Sequence, residues 1–103
     1  MDIKLYKIIV TPTAYKEIKN IYQYISEDLY AEKSAIKLMK KIEEKIMQLK
    51  INPKMYSKVK ISTKLKRQYR KIIINKYVIL YTIDDIEKIV YISHMYYIGK
   101  NYI

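Results

Sequence analysis

The sequence predicts an α+β domain: an N-terminal strand, then an antiparallel helical hairpin packed on a mostly antiparallel sheet that ends in a three-strand meander. Three observations carry that prediction. The first half holds two stretches whose apolar residues recur at spacings of three and four, the signature of helices with one buried face. The last third holds three short runs rich in Ile, Val and Tyr, separated by turn residues, which is how strands read. A chain of 103 residues supplies one hydrophobic core and not two, so residues 1–103 are expected to form a single domain.

Residues 3–10 read as the first strand. It ends at Thr11-Pro12-Thr13, where Thr11 can cap a helix and Pro12 can open it without losing a needed N–H. The first helix puts Ala14, Ile18, Ile21, Tyr22 and Ile25 on one face. Residues 26–30 break the period and read as a loop. Residues 31–50 read as the second helix, with Ala31, Ala35, Leu38, Met39, Ile42, Ile46 and Leu49 in its stripe and Lys33, Lys37, Lys40, Lys41 and Glu44 opposite. Asn52-Pro53 stops it. Residues 54–66 keep no clean period and read as a basic connection, with room for a short strand at 58–61. Residues 68–74 and 77–83 follow as strands around an Asn75-Lys76 turn; 84–87 turn the chain, 88–95 form the last strand and 96–103 a short tail. In the central strand Tyr77, Ile79, Tyr81 and Ile83 alternate with Val78, Leu80 and Thr82. One face should meet the helices, and the other is apolar enough to need a cover.

The chain carries 21 Lys and Arg against 10 Asp and Glu, a net charge of +11. Residues 45–83 contain no carboxylate and 11 cations, while the remainder balances 10 basic against 10 acidic residues. Nineteen of the 21 cations are Lys, as AT-rich coding favours, but uniform codon bias does not empty one segment of acids. A one-sided field suits a polyanionic partner, although a solvated lysine surface would read the same way. No Cys means no disulfide framework, cysteine nucleophile or thiolate metal site; one His precludes a multi-histidine metal site; one Gly precludes a glycine-rich phosphate loop. No cofactor is expected. With neither a signal-peptide pattern nor an apolar run of spanning length, a soluble cytoplasmic protein is expected, without a membrane partner.

The order and spacing of several strings resemble the RelE/ParE superfamily of toxins from bacterial type II toxin–antitoxin modules. Tyr6-Lys7-Ile8 followed by Thr11-Pro12-Thr13-Ala14 looks like the family's first strand and helix start, and Tyr24-Ile25 like the end of its first helix. Leu49-Lys50-Ile51-Asn52-Pro53 looks like its L-x-x-x-P exit, and Tyr69-Arg70-Lys71-Ile72 with Tyr77-Val78-Ile79-Leu80-Tyr81 like its Y-R-x-I and Y-x-I-x-Y strands. The resemblance covers nearly the whole chain. It implies a small toxin neutralised by a cognate acidic antitoxin, in a toxin–antitoxin hetero-oligomer of the kind that stabilises plasmids. It also implies one of two activities: ParE-like inhibition of DNA gyrase, or RelE-like cleavage of mRNA in the ribosome. The long hairpin and the Tyr69-Arg70 strand look more ParE-like. A decayed toxin that only binds antitoxin is a third reading.

A metal-free ribonuclease needs a proton-transfer group and converging cations around the reacting phosphate. Under the RelE-like alternative the candidates are Arg70, Tyr81, His94 and Tyr97. The tail departs from the nuclease pattern: aligned by Tyr102, Gly99-Lys100 stands where relatives carry an arginine pair, and Asn101 where they carry an acid. A lone lysine is a poor clamp for a charged phosphorane. Lys58, Lys60, Lys64, Lys66, Arg67, Arg70 and Lys71 are the expected contacts for a partner or nucleic acid. Each has a plainer reading as well. His94 can be a strand-end hydrogen-bonding residue, Arg70 can pair with Glu17 or Glu44, and Tyr81 can belong to the core.

Overall fold

The structure is a computed structural model, and it describes residues 4–59 and 67–98. Its elements are β1 (Lys7–Val10), α1 (Pro12–Gln23), a π-helical turn (Tyr24–Asp28), α2 (Glu32–Gln48), β2 (Arg70–Ile74), β3 (Tyr77–Asp84) and β4 (Ile89–Tyr97). The four strands form one sheet in the order β1-β4-β3-β2. β2, β3 and β4 make the expected antiparallel meander, and β1 joins it parallel to β4. A parallel neighbour needs a crossover, and here it runs through the helical hairpin and then β2 and β3.

The hairpin begins as its sequence dictates. The Thr11 hydroxyl accepts the Ala14 N–H at 3.1 Å and Pro12 takes the first helical position. It turns later than its period suggests. Residues 26–30 are not a loop throughout: the helix widens into the π turn and ends at Asp28, which keeps Ile25 buried and so preserves the apolar stripe. Ala31 N–H then bonds back to the Ile25 carbonyl, and Tyr30 takes a left-handed φ of 52°. Gly or Asn usually fills such a position after a helix; here a β-carbon bears the strain.

The core lies between the hairpin and one face of the sheet. Ala14, Ala35, Leu38, Ile42 and Leu49 from the helices meet Ile72, Ile74, Ile79, Tyr81, Val90, Ile92 and Met95 from the sheet, all essentially buried. Each such large side chain contributes about 1.5–3 kcal/mol of burial. Along β4 this face is reached by Val90, Ile92 and then Met95, a step of three where a regular strand steps by two. The register explains it: Tyr81 pairs with Ile92 but Leu80 pairs with His94, leaving Ser93 as a bulge. If Ser93 instead paired in turn opposite Leu80, Met95 would turn outward and His94 inward. The last strand accordingly runs past the expected residue 95 to Tyr97, and the first starts at Lys7 instead of residue 3. Among the described residues of the basic connection the chain makes a single bridge, Lys58 against Arg70, and Val59 joins no strand; residues 60 and 61 of the strand expected at 58–61 lie outside the described residues.

Candidate partner interface and cationic cleft

The basic segment is fixed to the sheet by two of the residues singled out as candidate catalysts. Tyr81 is fully buried, and its hydroxyl donates to the Pro53 carbonyl at 2.7 Å. Arg70 donates through one guanidinium nitrogen to the carbonyls of Tyr56 at 2.7 Å and Lys54 at 3.4 Å. Nearby backbone bonds join Val59 to Tyr69 and Lys71 to Ser57. The tie has a local logic. Leu49 and Pro53 are buried, so the chain leaving α2 must cross the sheet's end, and its carbonyls need donors there. Burial pushes the Tyr81 hydroxyl up to about 12, with the nearby Arg70 pulling against it. Such a tyrosine is neither exposed to a substrate nor ready to act as a base at neutral pH.

The tie leaves cations along the sheet's end. Lys54, Lys58 and Arg70 line a cleft of about 400 Å³ together with Gln68 and Asp85. A larger cleft of about 780 Å³ adjoins it, lined among others by Thr11, Arg67, Thr82, Asp84 and Tyr91. Asp85 is the local counter-charge: it accepts from the Tyr6 hydroxyl at 2.7 Å and pairs with Lys54 at 3.3 Å. The Tyr6 hydrogen bond, and then Lys54, hold its carboxyl below the usual range. Lys88 completes the group, 5.1 Å over the Tyr6 ring. This cluster was not legible in the sequence, where Tyr6 and Asp85 stand 79 positions apart; a tyrosine in an N-terminal strand and an acid in a late turn are common strings.

The four nuclease candidates do not converge. Arg70 and Tyr81 are register partners on the face that meets the helices. His94 is paired with Leu80, and alternation puts it on the opposite face. Tyr97 stands at the far end of β4, its ring 5.4 Å from Tyr77; Tyr77 is raised by burial and by its neighbours Tyr97 and Tyr24. The carboxylate expected for Arg70 goes elsewhere: Glu17 takes the Met95 N–H at 3.0 Å and His94 Nδ1 at 3.4 Å. β1 has already ended opposite Ile92, so α1 closes the exposed rim of β4 with Glu17 and with the Thr11 hydroxyl, which donates to Ser93. His94 thus has a carboxylate beside it, but one occupied in closing the sheet. Lys58, Arg67 and Lys71 are exposed; Lys60, Lys64 and Lys66 lie outside the described residues. Among the described residues no cluster of three His, Cys, Asp or Glu is arranged to hold a metal ion, and no helix is long and apolar enough to cross a membrane.

Residues 8–95 match the model of the ParE toxin of the type II toxin–antitoxin system parDE. The chain belongs to this family. The match spans both helices and nearly all of the sheet, so it covers the core and the cationic cleft alike. Solved structures of ParDE and RelBE toxin–antitoxin systems share the architecture at low identity. A chain of the chromosomal ParDE system from P. aeruginosa superposes with a TM-score of 0.72 at 14% identity, covering 93% of this chain and 99% of that one. A chain of the archaeal RelE–RelB complex from Pyrococcus horikoshii gives 0.61 at 13% identity, over 94% and 99%. A chain of the toxin–antitoxin complex RelBE2 from Mycobacterium tuberculosis gives 0.59 at 18% identity, over 93% and 94%. At these identities the likeness is one of fold. No curated protein matches the sequence. This ParE-family chain is therefore a RelE/ParE superfamily toxin of a type II toxin–antitoxin system, with the hairpin-on-sheet fold its sequence predicts.

Proposed function

We propose that this chain arrests growth by binding DNA gyrase, and that an acidic antitoxin encoded beside it holds it inactive. The observation that carries the gyrase reading is the position of Tyr81. The central strand's tyrosine has its hydroxyl committed to the Pro53 carbonyl, inside the core and across the sheet from His94. Acid–base cleavage of RNA needs its groups within hydrogen-bond reach of one phosphodiester, and these two are on opposite faces. The ParE family match and the lysine-poor, arginine-free end of the sequence support the same reading.

The antitoxin reading is supported by charge and by surface. Eleven cations without one carboxylate in residues 45–83 form a field that an acidic chain would neutralise, and the outward sheet face keeps Ile73 and Tyr96 exposed. The experiment is expression without a partner, followed by two assays. Gyrase inhibition predicts arrested growth and reduced supercoiling by purified gyrase at micromolar toxin. Arrest with normal supercoiling and new cuts in ribosomal A sites would instead support the endonuclease. Absence of arrest would leave a decayed toxin that binds only its antitoxin.

A further inference from the structure

Among the described residues, the outer edge of β2 is covered over only part of its length. At its start the Tyr69 carbonyl accepts from Val59 at 2.9 Å and the Lys71 N–H donates to Ser57 at 3.1 Å. That cover is a single bridge, Lys58 against Arg70. Backbone groups alternate in direction along a strand, so the next groups facing outward are the Lys71 carbonyl and both polar groups of Ile73. Among the described residues none of these has a backbone partner. The Ile73 side chain is 53% exposed beside them.

A row of lysines runs along this edge. α2 passes β2 in the opposite direction: Lys41 Nζ reaches Asn75 Oδ1 at 3.5 Å just past the strand's end, and Gln48 accepts from Tyr56 at 3.4 Å, next to the bridging segment at its start. Lys45 lies between these anchors. Lys37, Lys41 and Lys45 follow one another at four-residue spacing, which puts them on one side of the helix. A groove of about 260 Å³ between helix and turn is lined by Ser34, Lys37, Leu38, Lys41 and Asn75. Lys71 stands on the sheet side. Among the described residues no ion pair engages any of these four lysines.

We propose that this edge takes an extended acidic segment of a partner protein as a fifth strand, its backbone bonded to Ile73 and its carboxylates over the lysine row. The spacing fits. Alternate residues of a strand repeat at about 6.7 Å, and lysines four apart on a helix repeat at about 6 Å. Carboxylates at every second position would meet Lys41 and Lys45 in turn, with the intervening side chains over Ile73 and Lys71. A second copy of this chain fits poorly, because its β2 would bring lysines against lysines. Nucleic acid has no peptide groups to complete the edge. The inference rests on the reading that the chain works with an acidic partner; it adds where the partner's strand lies and what pattern it carries.

The test uses the full chain, isotope-labelled, and a short capped peptide of alternating Glu and Val titrated to about millimolar concentration, where weak docking becomes visible. Slowed exchange of the Ile73 amide, with shifts confined to residues 37–45 and 71–75, is the expected result. The Lys41→Glu, Lys45→Glu double variant should weaken binding about tenfold. Ile73→Pro, which removes an outward N–H and leaves the bonds to β3 in place, should abolish it. Should Ile73→Pro unfold, the double variant still decides. Unchanged Ile73 exchange overturns the proposal, as do shifts centred on Arg67 and Tyr91, equal binding of a Lys–Val peptide, or indifference to the double variant. Growth arrest separates this from the broader reading. Arrest without peptide docking removes only this surface; docking without arrest removes the toxin activity and leaves the surface.

Discussion

The two faces of the sheet are built from similar residues and do different things. Toward the helices, Ile72, Ile74, Ile79, Tyr81, Val90 and Ile92 are at or below 1% exposure. On the other side Ile73 is 53% exposed and Tyr96 is 37% exposed, with Lys71 and His94 among them. Ile72 and Ile73 are adjacent and chemically identical, yet one is core and the other surface. Strand alternation separates them, although Val78 on the outer face is itself only 4% exposed. The inner face makes the fold, and the outer face with its edge is the surface proposed above for a partner.

The sharpest way to break that contrast is to truncate equivalent residues on each side. Ile79→Ala should cost about 2–5 kcal/mol, whereas Ile73→Ala should stay within about 0.5 kcal/mol; denaturant midpoints read both. Equal losses would mean that the outer face is also core. Tyr81→Phe comes next. It leaves the Pro53 carbonyl buried without its donor, at about 1–3 kcal/mol. It should also alter the alkaline limb of stability. A hydroxyl raised from 10.0 to about 12 in the fold stabilises fully below pH 10, and that contribution disappears as pH rises toward 12. Phenylalanine should therefore lose less stability than the parent over that interval.

Smaller effects test the hairpin and the cluster that joins the sheet's ends. Tyr30→Gly should stabilise by about 1 kcal/mol, because glycine occupies a φ of 52° without a β-carbon clash; thermal melting reads it. Asp85→Asn should show least, and its small cost at neutral pH should fade in acid. Its carboxyl is lowered from 3.8 in the fold by the Tyr6 hydrogen bond, so its contribution is present above that value and is lost as pH falls through the lower folded one. The parent should lose more stability than the variant across that window.

Local rules made much of this fold legible. Thr11-Pro12 announced α1 because capping involves residues three apart, and Asn75-Lys76 announced the β2–β3 turn, where Asn75 takes a φ of 54°. The π turn was not legible, since residues 26–30 lose the 3.6 period whether a helix ends or widens. Nor was the Ser93 bulge, which exists because Met95 must face the core across from Ile79. The site was less legible than the fold. Arg70 and Tyr81 stood out as polar groups among strand residues, but their targets are backbone carbonyls of the connection, and a carbonyl has no sequence signature. Glu17 bonding to His94 and Met95 is likewise a product of where α1 crosses the rim of β4.

The most direct measurement is supercoiling by purified gyrase titrated with this chain and with its Tyr81→Phe variant side by side. If binding is the activity and the Tyr81 hydroxyl only holds the connection in place, both proteins inhibit, with midpoints within a few-fold of each other under conditions where both are folded. Gyrase that supercoils normally at micromolar toxin, while the same preparation cuts translated messages and the variant does not, would contradict it.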